Sequence, residues 1–275
     1  MNLSFEGRPE EGQAIRVICE ALDAGMQLLD TADVYGLGEH EFGHNEALVA
    51  KALKEWGGSR ESVVLATKGG VRRPGGDWVH DGSPAYLKSA CEASLRALGV
   101  DRIDLYQLHA PDEQVPLSES LGALDELRRE GKIRWMGLSN VSLAQIEQSL
   151  DSFDLVSVQN QASPYYLSGL QDGILALCEQ KGLAFLAHSP LGGWQAGRIA
   201  HEVLLQELAA ESGHSPHQLV LAWLLSRSPA LMPIPGASRA GNAISSAAVA
   251  RIVLDKDVLL RMDDFFSSLQ PQRDS

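Results

Sequence analysis

A short apolar run followed by a longer amphipathic stretch recurs along this chain, and the alternation restricts the folds that the chain can adopt. The apolar runs are four to five residues long, and several contain β-branched side chains, which is typical of buried parallel strands. They occupy residues 26–30, 63–67, 105–108, 133–137, 155–158, 183–187 and 231–234.

The stretches between the runs have helical spacing. Predicted helices cover residues 9–23, 45–56, 84–98, 117–130 and 170–180. Ser83 is placed to cap the third of these, and Gly99, Gly131 and Gly182 follow the ends of the last three. Strands that alternate with helices pair in parallel through right-handed crossovers, so the sequence predicts an α/β fold.

The length of 275 residues suits a single (β/α)₈ TIM barrel, which typically has about 250 residues. No composition break or Pro/Ser-rich linker divides the chain, so we predict one domain over residues 1–275. Such a barrel has eight strands, whereas only seven runs are visible and the first helix begins almost at the start. We therefore expect this chain to lack the first barrel strand.

The charge balance excludes some classes of partner. The 36 acidic and 23 basic residues give a formal net charge of −13, which repels nucleic acid and anionic membrane surfaces. A small anionic ligand needs only a local patch and stays possible. No apolar run approaches the ~20 residues of a membrane helix, and the first residues lack the pattern of a signal peptide.

The three cysteines, Cys19, Cys91 and Cys178, lie far apart in predicted helices, which favours a reduced, cytoplasmic protein. His40 and His44 lie near acidic residues, but no third ligand follows at a suitable spacing, so no metal site is predicted. The sequence leaves the oligomeric state open.

Polar side chains follow the predicted strands at the points where the strands end. In a parallel barrel these ends converge on one mouth, where active sites are built. Six strand ends in succession carry such side chains, including a carboxylate, an amine and an imidazole, which predicts an enzyme. The residues are Asp30, Lys68, His109, Ser139 with Asn140, Gln159 with Asn160, and His188 with Ser189.

Asp30, Tyr35, Lys68 and His109 together are suited to proton transfer. A phenol has a pKa near 10, and a neighbouring cation such as Lys68 lowers it. Asp30 favours the ammonium form of the lysine, and His109 could orient and polarise a carbonyl. Such a set can protonate a carbonyl oxygen while a hydride reaches the carbon. None of the four is a nucleophile activated by a base, which argues against acyl transfer.

These residues lie in motifs that resemble those of the aldo-keto reductase family, in the same order, from about Glu11 to Leu269. The motifs are Asp30-Thr-Ala-Asp-Val-Tyr-Gly36, Ala66-Thr-Lys-Gly69, Leu105-Tyr-Gln-Leu-His109, Gly137-Leu-Ser-Asn140, Val158-Gln-Asn160, His188-Ser-Pro-Leu-Gly192 and Ile234-Pro-Gly-Ala-Ser238.

The resemblance implies an NAD(P)H-dependent carbonyl reductase that acts on small aldehydes or ketones. It implies that Asp30, Tyr35, Lys68 and His109 form the catalytic tetrad, with Tyr35 as the proton donor. The implied cofactor contacts are Ser139, Asn140 and Gln159 at the nicotinamide carboxamide, His188 at the nicotinamide ring, Ser189, Leu191 and Gly193 along the pyrophosphate, and Ser238, Arg239 and Asn242 at the adenosine 2′-phosphate or adenine.

The residues themselves also favour a dinucleotide bound outside a Rossmann fold. No G-x-G-x-x-G motif follows a strand, but Leu191-Gly-Gly-Trp194 would let backbone N–H groups approach a phosphate. Arg239 could bind a 2′-phosphate through two hydrogen bonds, which favours NADPH and leaves NADH possible. Trp78 and Trp194 lie in segments that could line the substrate mouth, whereas Trp223 is expected in the core.

The chain departs from the family pattern at three places. The N-terminal hairpin and first strand are absent, and residues 1–4 resemble the loop that leaves that strand; we expect either a native start upstream or a marginally stable product. His188 replaces the usual aromatic ring. Ser245 and Ser246 replace an acidic residue and Asn, which is expected to weaken nucleotide binding.

Two other functions stay open at the level of sequence. The chain could be a nucleotide-binding regulatory or sensor subunit with little turnover, because a fold alone does not fix a function. It could also be an N-terminally truncated, inactive reductase that keeps the motifs and does not bind nucleotide.

Overall fold

Strands and helices alternate through residues 3–270, the part of the chain that the computed structural model describes. The strands are β1 (Leu28–Asp30), β2 (Val64–Gly69), β3 (Val71–Arg72), β4 (Val79–His80), β5 (Ile103–Leu108), β6 (Ile133–Ser139), β7 (Leu155–Gln161), β8 (Ala184–His188) and β9 (Leu231–Pro233). The helices are α1 (Glu11–Asp23), α2 (His44–Trp56), α3 (Pro84–Leu98), α4 (Leu117–Arg129), α5 (Leu143–Leu150), α6 (Ser168–Gln171), α7 (Ile174–Lys181), α8 (Val203–Ser212), α9 (Pro216–Leu225), α10 (Ala240–Ala247) and α11 (Lys256–Ser268). Every predicted apolar run lies on a strand, so the alternation inferred from the sequence is confirmed.

Contacts between residues group the chain into two compact units. Residues up to Val158 form the first unit together with Gly236–Ile244, and Gln159–Pro235 form the second together with residues from Ser245 onward. The single domain over residues 1–275 stays a prediction. Residues 1–2 and 271–275 lie outside the described part of the chain.

The first unit is built on parallel strands in the order β1-β2-β5-β6-β7. Asp30 of β1 lies opposite Ala66 of β2, and Lys68 of β2 lies opposite Gln107 of β5. Parallel strands bring their C-terminal ends to the same edge of a sheet. This register therefore brings Asp30, Lys68 and the residue that follows β5, His109, to one edge.

Helix α3 begins and ends where the sequence predicts. The Oγ of Ser83 accepts a hydrogen bond from the N–H of Tyr86 at 3.4 Å, which satisfies one of the free N–H groups of the first turn. Gly99 follows the helix with a φ of 65°, a left-handed conformation that glycine adopts without strain. The helix packs on β2 and so supports the strand that carries Lys68.

In the second unit, β8 pairs in parallel with β9, with Phe185 opposite Leu231. Trp223 is buried at 2% exposure, and its indole Nε1 donates to Asp263 at 2.7 Å. Its expected position in the core is confirmed. Trp194 lies in a 3₁₀ segment, Gly193–His201, and its side chain is fully exposed.

The single helix predicted over residues 170–180 is wrong. The structure has two short helices there, α6 and α7, separated by Asp172 and Gly173. Gly173 has a φ of 90°, which interrupts the right-handed helix. The carboxylate of Asp172 accepts a hydrogen bond from the N–H of Ile174 at 2.9 Å and so supports the new helix start.

Within residues 3–270, α1 precedes every strand, which agrees with the expected lack of a first barrel strand. The expectation for residues 1–4 falls partly on Met1 and Asn2, which lie outside the described residues. The three cysteines are free thiols on helices, two of them buried, as predicted. None of the helices in the described part combines the length and the hydropathy that a membrane span requires. Residues 3–270 also contain no group of three His, Cys, Asp or Glu side chains arranged to hold a metal ion.

Candidate active site

A fully buried lysine is the centre of the candidate site. The Nζ of Lys68 lies 2.6 Å from the Oδ2 of Asp30, donates to the carbonyl of Thr31 at 2.8 Å, and donates to the hydroxyl of Tyr35 at 3.5 Å. Lys68 lies within β2, where the buried residues Ala66 and Thr67 precede it. The strand therefore holds a cation where an ordinary lysine would reach solvent.

Two opposing effects set the protonation of Lys68. Burial by itself lowers the pKa of Lys68, but the charge of Asp30 and the contact with Tyr35 outweigh it and raise the pKa above its usual value. The ammonium form therefore persists at neutral pH. This agrees with the role that the sequence suggested for Asp30.

Tyr35 follows β1 and is held by its own backbone and by a small apolar cluster. Its N–H donates to the carbonyl of Ala32, and its ring packs against the cluster of Ala32, Val34 and Val71. The Nζ of Lys68 lies 5.2 Å from the ring centroid. Burial raises the pKa of Tyr35, and Lys68 only opposes this rise. The lowering effect of Lys68 on the phenol pKa is present as predicted, but the desolvation of the phenolate outweighs it.

His109 faces the tyrosine ring from the end of β5. The two rings meet edge to face with centroids 5.9 Å apart. The N–H of His109 donates to the carbonyl of Gly69, and the side chain of Asn140 donates to the carbonyl of His109 at 2.9 Å. The structure thus brings Asp30, Tyr35, Lys68 and His109 together within the first unit, as the sequence predicted.

Ser139 and Asn140 lie at the end of β6 in the same unit. Ser139 is buried, and its Oγ accepts a hydrogen bond from the side chain of Asn140 at 3.2 Å. Asn140 has a φ of 56°, an unusual value for a residue other than glycine. Local strain of this kind is common where a structure positions a side chain for a ligand.

Gln107 is a site residue that the sequence analysis missed. It is fully buried in β5, and its Nε2 donates to the Oδ1 of Asp30 at 3.2 Å. The bond orients the carboxylate that holds Lys68. A sequence signal existed, because Gln107 precedes His109 by two residues, and alternate residues of a strand share a face.

The predicted 2′-phosphate residues lie around the start of α10. Ser238 and Arg239 precede the helix, and the carbonyl of Arg239 accepts a hydrogen bond from the N–H of Asn242 at 3.1 Å. Arg239 is exposed and has no ion pair among the described residues. A helix N-terminus beside a guanidinium suits an anion.

The predicted cofactor residues of the second unit are Gln159, His188, Ser189, Leu191 and Gly193. Gln159 is buried in β7, and the Nδ1 of His188 lies 3.3 Å from the Oγ of Ser189. Ser189 and Gly193 have φ values of 53° and 58°. The partly buried side chain of Leu191 packs against the core cluster of Leu221, Ala222 and Val249.

These donors fit the groups of a nicotinamide dinucleotide. Short amide and hydroxyl side chains suit the carboxamide, and positive φ values expose the backbone N–H groups that bind phosphate. The backbone carbonyl of Ser245 accepts a hydrogen bond from the side chain of Gln218 at 3.1 Å. The weaker nucleotide binding expected from Ser245 and Ser246 stays a prediction.

Comparison with known proteins identifies the class to which this fold and site belong. The profile of the Aldo/keto reductase family matches residues 2–266, nearly the whole chain, and the chain belongs to this family. An uncharacterized oxidoreductase of Schizosaccharomyces pombe is 34% identical over 244 residues, which are 88% of this chain and 75% of the relative.

Solved structures of the family are similar along almost the full chain. An aldo-keto reductase from Klebsiella pneumoniae in complex with NADPH is 28% identical, with a TM-score of 0.81 and coverage of 96% of this chain and 88% of that one. The glycerol dehydrogenase from Gluconobacter oxydans is 27% identical, with a TM-score of 0.84 and coverage of 98% and 90%. These similarities confirm the family resemblance found in the sequence and the predicted α/β fold class of the (β/α)₈ type.

Proposed function

We propose that this protein reduces aldehyde or ketone carbonyls to alcohols with NADPH, and that Tyr35 is the general acid. The observation that carries the proposal is the buried Lys68, which is paired with Asp30 and lies 3.5 Å from the hydroxyl of Tyr35. Burying an ammonium group reduces the stability of the fold unless the charge is paired, and the ammonium of Lys68 contacts both a carboxylate and a phenol.

Each unit offers groups that match part of the cofactor. In the first unit, Ser139 and Asn140 match the nicotinamide carboxamide. In the second unit, Gln159 matches the same group, and His188 matches the nicotinamide ring. The backbone at Ser189, Leu191 and Gly193 would bind the pyrophosphate, and Ser238, Arg239 and Asn242 would bind the 2′-phosphate end. NADPH, when bound, supplies the hydride that reduces the carbonyl carbon. NADH would serve less well, because it gives Arg239 no phosphate to bind.

The proton steps belong to the chain itself. Tyr35 donates its hydroxyl proton to the carbonyl oxygen, and the ammonium of Lys68 stabilises the phenolate that this leaves. Asp30 keeps the lysine charged, and Gln107 orients Asp30. His109, beside the tyrosine ring, would orient the carbonyl by donating a ring N–H.

The test is Tyr35→Phe, which removes the acidic hydroxyl and keeps the ring. We expect kcat with benzaldehyde and NADPH to fall about 10²- to 10⁴-fold, the usual contribution of a general acid. NADPH affinity, measured by quenching of tryptophan fluorescence, should stay within a factor of two to three of wild type. Tyr166→Phe, at a tyrosine that is 44% exposed, is the matched control and should keep full activity.

Each other outcome points elsewhere. Turnover by Tyr35→Phe equal to that of wild type would refute the assignment of the acid. Tight NADPH binding by a wild-type protein that turns over no carbonyl would favour the regulatory subunit. Wild-type protein that binds no nucleotide would favour the inactive reductase.

A further inference from the structure

A short hairpin beside the site carries an exposed tryptophan and two arginines. Strand β3 pairs antiparallel with β4, and Val71 at its start packs in the same apolar cluster as Tyr35. The hydroxyl of Tyr86 donates to the carbonyl of Val71 at 2.8 Å and fixes the hairpin to α3. Trp78, which is 51% exposed, immediately precedes β4.

Four rings form a continuous row that includes Tyr35. Phe5 lies 5.5 Å from Tyr35, Tyr35 lies 5.9 Å from His109, and His109 lies 6.3 Å from Trp78, all measured between ring centroids. Spacings of this kind are those of favourable aromatic contacts. A carbonyl compound at Tyr35 and His109 would therefore meet further ring surface on either side, which suits a planar aromatic substrate.

The row ends at a guanidinium. The Cζ of Arg73 lies 4.5 Å from the ring centroid of Trp78, and its Nε donates to the carbonyl of Gly76 at 3.1 Å. Its Nη1 is buried and has no hydrogen-bond partner among the described residues. The aromatic face of Trp78 stabilises the positive charge of the Arg73 guanidinium. It is only a weak hydrogen-bond acceptor, however, so the Nη1 donor stays unsatisfied.

The neighbouring Arg72, on the same hairpin, is paired with acidic side chains. Its guanidinium lies 3.7 Å from carboxylate oxygens of both Glu39 and Asp81. Arg73 has no carboxylate within ion-pair distance in the described part of the chain. In a protein with a net charge of −13, an arginine without an acidic partner beside the site favours an anionic ligand group.

We propose that the natural substrate is an aromatic aldehyde or ketone that carries a carboxylate, with its ring against Trp78 and its carboxylate on Arg73. The inference rests on the proposed function, because it places the reacting carbonyl at Tyr35. A planar guanidinium binds a carboxylate through two parallel hydrogen bonds, and no carboxylate of the described residues fills that role at Arg73.

The experiment compares two substrates that differ only in this charge: 4-carboxybenzaldehyde and its methyl ester, methyl 4-formylbenzoate. We expect wild-type kcat/KM with NADPH to be at least about tenfold higher for the acid. Arg73→Met should lower kcat/KM for the acid about 10- to 100-fold and leave the ester nearly unchanged. Arg73→Lys should keep only part of the preference, because it keeps the charge and loses the planar fork.

Two controls separate the contact from general effects. Arg72→Met removes the same charge from the same hairpin and should keep the preference for the acid. Trp78→Leu should lower kcat/KM for the acid and for the ester by the same factor, because it removes ring surface and no charge.

A binding measurement keeps the inference testable without turnover. Calorimetric titration of 4-(hydroxymethyl)benzoate into the full chain with saturating NADPH gives a non-reacting complex. We expect binding by wild type and its loss in Arg73→Met. Reduction of both substrates without preference, together with equal binding by the two proteins, would overturn the inference and leave the proposed function intact. If wild type bound 4-(hydroxymethyl)benzoate through Arg73 but turned over no carbonyl substrate, the proposed function would be refuted and the carboxylate site at Arg73 would stand.

Discussion

Two carboxyl groups, Asp33 and Glu46, are buried in the first unit, where both interact electrostatically with Lys68. They are 4% and 1% exposed, and the Oδ1 of Asp33 has no hydrogen-bond partner among the described residues. Burial raises the pKa of Asp33 well above its usual value, and the Glu46 carboxyl adds to this rise. Burial also raises the pKa of Glu46, although Thr67 donates to its Oε1 at 2.6 Å. The fold therefore favours the protonated forms.

This burial has a consequence for stability against pH. A carboxyl whose pKa is raised by folding ionises more readily in the unfolded chain, so its cost to stability grows as pH rises above about 4.3. Glu46→Gln keeps the acceptor for Thr67 and cannot ionise. We expect its melting temperature to equal or fall below that of wild type near pH 4 and to exceed it by a few °C at pH 8. Thermal melts across this range measure the difference.

Glu41→Gln is the control with the opposite sign. Arg8 donates to Glu41 and lowers the pKa of that carboxyl to about 2. Its contribution is present above the unfolded pKa of about 4.3 and is lost as pH falls towards 2. Glu41→Gln should therefore destabilise at pH 7 and have less effect in acid. If Glu46→Gln lost stability as pH rose, the buried carboxyl would have to be ionised in the folded protein.

At the scale of the elements, the contact between β2 and β5 leaves no room beside Lys68. A Cβ placed on Gly69, the last residue of β2, would lie 2.1 Å from the hydroxyl oxygen of Tyr106. Overpacking of a core costs about 1–3 kcal/mol. We expect Gly69→Ala to lose about that much unfolding free energy in urea and also to lose activity, because the shifted strand carries Lys68.

Tyr106→Phe should partly rescue Gly69→Ala. The hydroxyl of Tyr106 is buried without a hydrogen-bond partner among the described residues, so the single change removes little. The double variant should be more stable than the sum of the single changes by about 0.5–3 kcal/mol. Gly122→Ala adds the same methyl in α4, where the new Cβ meets no atom within 4 Å apart from the adjoining backbone of its own helix, and should not destabilise. If the stability changes of Gly69→Ala and Tyr106→Phe simply added in the double variant, the strands would have to relax around the new methyl group.

The elements that the sequence analysis placed well are those with local signals. Ser83 and Gly99 mark both ends of α3, and the apolar runs mark the strands. The break at Gly173 was missed because a single glycine inside a helical pattern is often tolerated. The hairpin of β3 and β4 was missed because two-residue strands are too short to show alternation. Asp30, Lys68 and His109 could be predicted from strand ends and Tyr35 from the family resemblance, whereas the contacts of Arg73 depend on the hairpin and could not be predicted.

At the scale of the whole molecule, the acidic chain has to bind an anionic cofactor. A net charge of −13 opposes a nucleotide that carries three phosphates, so local cations have to provide the attraction. We propose Arg239, directly before α10, as such a cation. A ligand that binds only the folded chain stabilises it by about 2.7 kcal/mol at a concentration one hundred times its Kd. The melting temperature therefore reports on the whole molecule's affinity for each nucleotide.

The last prediction uses this linkage to test Arg239. We expect NADPH to raise the melting temperature of wild type by several °C, and NADH at the same concentration to raise it less. Arg239→Met should weaken the binding of NADPH about 10- to 100-fold and leave the binding of NADH unchanged, because only NADPH has a 2′-phosphate. Arg251→Met removes an equal charge at another exposed arginine and should leave both shifts unchanged. If Arg239→Met weakened the binding of NADPH and NADH equally, Arg239 would act through the overall electrostatic field or on the part of the cofactor that both nucleotides share. Another residue would then have to account for any preference for NADPH.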